Sequence, residues 1–179
     1  AKFDVPDRDG QLPMHYACRN YDEGCNTILF LYKKHAKVDV PDGNGRLPIH
    51  YACERGSVHI VKLLVTNGAR IDLPDNDGQL PIHYACKNLE NGSEIILFLL
   101  GRHARVNVPD AGKRLPIHYA CESGLLHMVQ LLATNVSKFD IPDSDGQLPM
   151  HYACRNFENG YEIILFLLGR HARVNVPDA

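Results

Sequence analysis

A seven-residue motif that returns five times along the chain constrains the fold more than any other feature. A chain built of such units buries its apolar surface between neighbouring repeats rather than in one globular centre. The motif Leu-Pro-Ile/Met-His-Tyr-Ala-Cys occupies Leu12 to Cys18, Leu47 to Cys53, Leu80 to Cys86, Leu115 to Cys121 and Leu148 to Cys154. Its leucines lie 35, 33, 35 and 33 residues apart, so the full period is a pair of unequal repeats totalling 68 residues. Residues 80–111 and 148–179 differ only at Ile82/Met150, Lys87/Arg155, Leu89/Phe157 and Ser93/Tyr161. Such likeness points to recent duplication or to deliberate design.

The eleven prolines fall into two recurring slots, five in the motif and six in segments ending Pro-Asp, such as Val40-Pro41-Asp42. Proline suits the first turn of a helix, where its missing N–H has no helical partner anyway, so Pro13, Pro48, Pro81, Pro116 and Pro149 predict helix starts. Each first helix is expected to end near Asn20 or its equivalent, such as Arg55. A second apolar run follows, as in Ile28-Leu29-Phe30-Leu31 and Ile60-Val61-Lys62-Leu63-Leu64. Every unit therefore reads turn, helix, turn, helix.

A period near 33 residues, with Asp-x-x-Gly, then Pro-x-His-x-Ala, then a Leu-Leu run closed by Gly-Ala, resembles the ankyrin repeat family. The second repeat carries the pattern most fully, at Gly45, Leu47 to Cys53, Gly56, Ile60-Val61, Leu63-Leu64 and Gly68-Ala69. The resemblance implies an all-α solenoid in which each repeat is a projecting β-turn finger followed by an antiparallel helix pair. Stacked repeats would form a curved array with a concave face. The expected organisation is one array over residues 1–179, with repeats at 4–38, 39–71, 72–106, 107–139 and 140–174, and 175–179 opening a further finger. By the same resemblance, His15 and its equivalents brace the neighbouring finger, and Cys18 and its equivalents fill a small buried slot.

Four departures stand out. Leucine replaces the family's usual threonine before the proline, removing a hydroxyl that could cap the helix. Gly68, the expected left-handed helix terminator, is replaced by His35, His103, His171 and Val136. Histidine tolerates positive φ better than β-branched valine does. The fourth finger, Asp110-Ala111-Gly112-Lys113, carries its glycine one place early and predicts a reshaped turn. The odd repeats also have two extra residues between their helices, as in Asn20-Tyr21-Asp22-Glu23-Gly24.

Ten histidines and six cysteines raise the question of a metal or a nucleophile. His15 and Cys18 sit three apart on one helix face, yet each repeat supplies only one such pair, whereas a structural zinc site needs four convergent ligands. Fingers such as Asp75-Asn76-Asp77-Gly78 look like pieces of a calcium loop. Counting from the loop glycine, however, puts Leu73 and Tyr84 where carboxylates are required. Turn-forming aspartates are the expectation. A catalytic constellation must be unique and convergent, and here every candidate repeats along an axis. No enzyme, metal or cofactor is expected. The net charge of −2 removes a general pull toward nucleic acid, and no apolar run reaches the roughly 20 residues that would cross a bilayer. Five buried thiols held apart by the stacking predict a reducing, intracellular and cytoplasmic setting.

In the family, partners are gripped by finger tips and by the exposed side of the first helix. Those positions transfer to Arg8, Asn44, Asn76 and Ser144 on the fingers and to the row Gln11, Arg46, Gln79, Arg114 and Gln147 before each Leu-Pro. On the helix ends they transfer to Arg19, Arg55, Lys87 and Arg155. Acid concentrates on the fingers and base on the helices. The expected function is a protein-binding scaffold whose partner turns acidic groups toward the helix side of the groove. The alternative is a structural spacer or self-assembling rod. Replacing both Arg46 and Arg114 by Glu should then weaken binding while leaving melting almost unchanged, since exposed charges contribute only about 0 to 1 kcal/mol. Tyr16, Tyr51, Tyr84, Tyr119 and Tyr152 are expected in the core. Tyr21, Leu89 and Phe157, in the longer loops, are expected to pack against their own helix pairs; exposed, they would form a second contact edge. The chain opens just after the place of a second helix and closes inside a finger, which predicts an excerpt of a longer array that associates end to end.

Overall fold

The computed structural model describes residues 3–20, 23–136 and 139–170. Tyr21, His171 and the segment 175–179 singled out above lie outside the described residues.

Ten helices in five pairs follow the proline register: α1 (Pro13–Arg19) with α2 (Gly24–Lys33), α3 (Pro48–Arg55) with α4 (Val58–Thr66), α5 (Pro81–Lys87) with α6 (Gly92–Leu100), α7 (Pro116–Ser123) with α8 (Leu126–Ala133), and α9 (Pro149–Arg155) with α10 (Gly160–Gly169). Proline stands at the first helical position of each odd-numbered helix. The first helices stack in one layer, α1 on α3 on α5 on α7 on α9, and the second helices in another, α2 on α4 on α6 on α8 on α10. Between the layers lies one continuous core, with Ile28, Ile60, Ile95, Ile117 and Ile163 essentially inaccessible to solvent.

Two connection types alternate. In the even repeats Gly56 and Gly124 end the first helix in the left-handed conformation, at φ 77° and 75°, and the second helix begins almost at once. In the odd repeats Asn20, Asn88 and Asn156 end it in an extended conformation. The chain returns through a longer loop to Gly24, Gly92 or Gly160. A Cβ on these glycines would lie 2.5, 2.3 and 2.1 Å from the carbonyl oxygens of Ala17, Ala85 and Ala153, so only glycine permits this approach.

The fingers are joined into a row by main-chain bonds. Gly43 N–H donates to Asp9 O (2.8 Å), Asn76 N–H to Asn44 O (3.0 Å), Ala111 N–H to Asp77 O (2.8 Å) and Ser144 N–H to Gly112 O (2.8 Å). The fourth finger is not reshaped. Lys113 takes φ 58°, the left-handed place filled by Gly10, Gly45, Gly78 and Gly146 elsewhere, and its N–H keeps the turn bond to Asp110 O. The surrounding finger bonds hold the conformation against the cost of about 1 to 2 kcal/mol that a side chain incurs there. His35 and His103 follow Gly68 into positive φ at 60° and 62°, whereas Val136 is not among the positive-φ residues. Among the described residues no helix is long and apolar enough to cross a membrane.

Candidate partner-binding groove

Each finger is built on one aspartate. Oδ1 of Asp42 accepts the N–H groups of Asn44 and Arg46, both at 2.9 Å, closing the turn. Its Oδ2 accepts the hydroxyl of Tyr51 on the helix that follows, at 2.5 Å. The arrangement repeats at Asp75–Tyr84, Asp110–Tyr119 and Asp143–Tyr152, and at Asp7–Tyr16 with 2.6 Å. Burial opposes ionisation of Asp42 and Asp143, but the tyrosine hydroxyl and the turn N–H groups outweigh it and hold both carboxyls below the usual range. Burial, with the carboxylate acceptor, pushes the Tyr152 hydroxyl up to about 12.

The histidines carry the link to the next repeat. His15 Nδ1 accepts the N–H of Leu12 at 2.9 Å, which places the ring proton on Nε2, and that atom donates to Arg46 O at 3.1 Å. His50 does the same with Leu47 (2.8 Å) and Gln79 O (3.1 Å). His83 and His118 keep the Nδ1 bond, at 2.9 and 3.0 Å, while their Nε2 atoms fall outside hydrogen-bonding geometry. Because the accepted proton comes from the main chain, the bond survives the leucine that replaces threonine. Each ring also meets the following repeat's tyrosine edge-on, with centroids 5.4 to 5.8 Å apart.

Over these buried columns runs a ladder of cations and tyrosine rings. Tyr51 lies between Arg19 (4.1 Å to the centroid) and Arg46 (4.6 Å). Tyr84 lies between Arg46 (4.3 Å) and Lys87 (4.7 Å), and Tyr119 between Lys87 (4.7 Å) and Arg114 (5.6 Å). Arg114 (4.5 Å) and Arg155 (5.3 Å) flank Tyr152. Polar rungs cross it: Arg19 donates to Gln11 (3.0 Å), Arg46 to Glu54 (3.0 Å) and Lys87 to Gln79 (2.7 Å), and Arg114 lies 3.6 Å from Glu122. The row also reaches forward, with Gln11, Arg46 and Gln79 donating to the hydroxyls of Tyr51, Tyr84 and Tyr119 at 3.2, 2.9 and 3.0 Å.

A family model described as Ankyrin repeats (3 copies) matches residues 14–110 and 89–178, nearly the whole chain. The chain belongs to the ankyrin repeat family. No curated protein matches it. Ankyrin repeats mediate protein–protein interaction and are typically non-enzymatic scaffolds.

On this ankyrin framework the thirteen sequence-derived positions separate into two sets. Arg8, Asn44, Asn76 and Ser144 are exposed on the finger tips, and Arg55 is exposed at the end of α3. Gln11, Arg19, Arg46, Gln79, Lys87 and Arg114 belong to the ladder, with Arg155 at its last ring. Gln147 is half-buried, its Oε1 without a partner, because Arg155 stands over Tyr152 instead of pairing as Lys87 does with Gln79. A cleft of about 330 Å³ brings Asn44, Arg46, Asn76, Gln79 and Lys87 together with Glu54, Asp75, Asp77 and Tyr84.

Three expectations change. Arg46 is not a free surface charge, since only 18% of its side chain is accessible and it is engaged on both sides. Tyr51, Tyr84, Tyr119 and Tyr152 are buried as expected, but Tyr16 is 51% exposed, with no preceding repeat among the described residues to cover it. Of the five motif thiols four are buried, and burial pushes Cys18, Cys53, Cys86 and Cys121 far above the ordinary thiol range. Cys154 faces outward on α9. Among the described residues no three His, Cys, Asp or Glu side chains converge on one point. The finger aspartates and their tyrosine partners were missed as a unit, although a constant spacing of nine residues, from Asp7–Tyr16 to Asp143–Tyr152, signals them.

Proposed function

We propose that this ankyrin array is a non-catalytic, intracellular scaffold that holds a partner protein across the finger tips and the rim of the first-helix layer. One observation carries this reading: the ladder's rungs alternate in charge. In the even repeats Arg46 and Arg114 face Glu54 and Glu122, so each rung is neutral within itself. In the odd repeats the cations Arg19 and Lys87 face neutral glutamines instead of a carboxylate partner on the rung, and the carboxylates that act on Lys87 are those of Glu54, Asp75 and Asp110 on neighbouring elements. Arg155, over Tyr152, is the equivalent cation of the last repeat. Equivalent cations two repeats apart are separated by about 20 Å, taking roughly 10 Å per stacked helix. A partner with acidic groups at that spacing fits the groove floor, while Asn44, Asn76 and Ser144 offer polar contacts above it.

The double substitution Lys87→Gln/Arg155→Gln tests this reading. Affinity for the captured partner is expected to fall roughly tenfold or more and its salt dependence to flatten. Stability should drop by about 2 to 3 kcal/mol, for three lost cation–π contacts and the Lys87–Gln79 bond, with the fold retained. Unchanged affinity with an unchanged salt slope would remove the odd rungs from the binding surface. A spacer or rod is the second reading, favoured by the main-chain bonds and ladder that lock every repeat to the next; such an array would yield no foreign partner.

A further inference from the structure

The longer loops of the odd repeats share one plan: Asn, an apolar residue, an acid, Glu or Asn, then Gly, at residues 20–24, 88–92 and 156–160. Their base is fixed. Asn88 Oδ1 accepts the N–H of Asn91 at 2.8 Å, Asn156 Oδ1 that of Asn159 at 3.0 Å, and Asn88 Nδ2 donates to the Glu54 carbonyl of the preceding repeat at 3.1 Å. Gly92 and Gly160 close the loops against the first helix where no side chain fits.

On this rigid base the apolar residue points away from the protein. Leu89 is 62% exposed and Phe157 fully so, at 101%, which overturns the expectation that they pack on their own helices. Leaving such side chains in water forgoes the free energy that their burial would supply. Exposed carboxylates follow at once, Glu90 and Glu158, with Glu94 and Glu162 in the first turns of α6 and α10. Glu94 pairs with Lys62 at 2.9 Å; among the described residues no ion pair engages Glu90, Glu158 or Glu162. The first helices run from the fingers to these loops, so seven residues of α5 place the edge about 10 Å from the finger row at 1.5 Å per residue.

We propose that this loop edge is a second docking surface, where a basic amphipathic helix of a partner seats its apolar face on Leu89 and Phe157 and its Lys or Arg side chains on the flanking carboxylates. The two anchors are about 20 Å apart, which a helix of about 14 residues spans. The proposal goes beyond the groove and uses none of its residues.

The test titrates the full chain against a helical Leu/Lys peptide of about 18 residues, with a Leu/Glu peptide of the same apolar pattern as control. The Leu/Lys peptide is expected to bind roughly tenfold more tightly than its control, and Leu89→Ser/Phe157→Ser to weaken it by a similar factor. Glu90→Gln/Glu158→Gln should flatten the salt dependence, and it keeps the test open should the apolar variant fold poorly. Lys87→Gln/Arg155→Gln, which removes two cations beside the anchors, should not weaken peptide binding, which separates this edge from the groove. Equal binding of both peptides, or undiminished binding by the loop variants, would overturn the proposal. So would a wild-type dimer that Leu89→Ser/Phe157→Ser converts to monomer, because the edge would then be covered by a second copy.

Discussion

Lowering the pH from 7 to 4.5 is expected to destabilise the fold by on the order of 5 kcal/mol through His50 and His83 alone. Burial is the dominant cause at both sites and lowers each to about 4, despite the opposing pull of Asp75 on His50 and of Asp110 on His83. In the unfolded chain a histidine titrates near 6.5, so below that pH the unfolded state takes up protons that the folded state refuses. Stability is therefore intact above pH 6.5 and is lost progressively as the pH falls toward 4, at about 1.4 kcal/mol per unit for each histidine. His15 and His118 are shifted the same way, again chiefly by burial. Asp42 and Asp143, held below the usual range, add to the loss lower down. Against a typical total of about 5 to 15 kcal/mol, this loss is a third or more of the stability. Urea midpoints at the two pH values measure the effect. Equal midpoints, or His50 or His83 titrating near 6.5 in the folded state, would contradict it.

Arg46→Ala is expected to cost about 3 kcal/mol of folding stability. The substitution removes a charged hydrogen bond to the Tyr84 hydroxyl, a bond to Glu54 and two ring contacts, to Tyr51 in its own repeat and Tyr84 in the next. It also leaves the Tyr51–Tyr84 interface without the planar group that bridges it. Arg46→Lys should recover only part of the loss, since an ammonium lacks both the Nε donor and the flat stacking surface. Chemical denaturation at neutral pH reads the change directly. A variant within about 0.5 kcal/mol of wild type would show that the ladder is not holding the repeats together.

Much of the fold is legible in the sequence because its determinants are local. Proline at the first helical position marks all five first helices, and the histidine three residues after each leucine bonds a main-chain N–H that any residue at Leu12 or Leu47 supplies. The surface was less legible. Whether Arg46 is free or stacked depends on the distance between its own tyrosine and the next, which the packing of α3 against α5 sets and no spacing within one repeat reveals. Leu89 and Phe157 misled for a related reason. Apolar character predicts burial, but Asn88, bonded to the preceding repeat and to Asn91, and Gly92, held against Ala85, fix the course of the loop and leave Leu89 between them in solvent. At Lys113 the finger's bonds to both neighbours outweigh a local preference for glycine.

The scaffold function itself turns on where a partner touches the array. A photoreactive amino acid placed at Asn76, on an exposed finger tip beside the cleft, or at Leu97, on the outer face of α6 and more than half exposed, reports contact by position rather than by affinity. Cross-linking in the source cell should join Asn76 to a discrete foreign protein in stoichiometric yield and leave Leu97 unreacted. Equal labelling at the two positions, or cross-links only to further copies of this chain, would contradict a groove-bound partner.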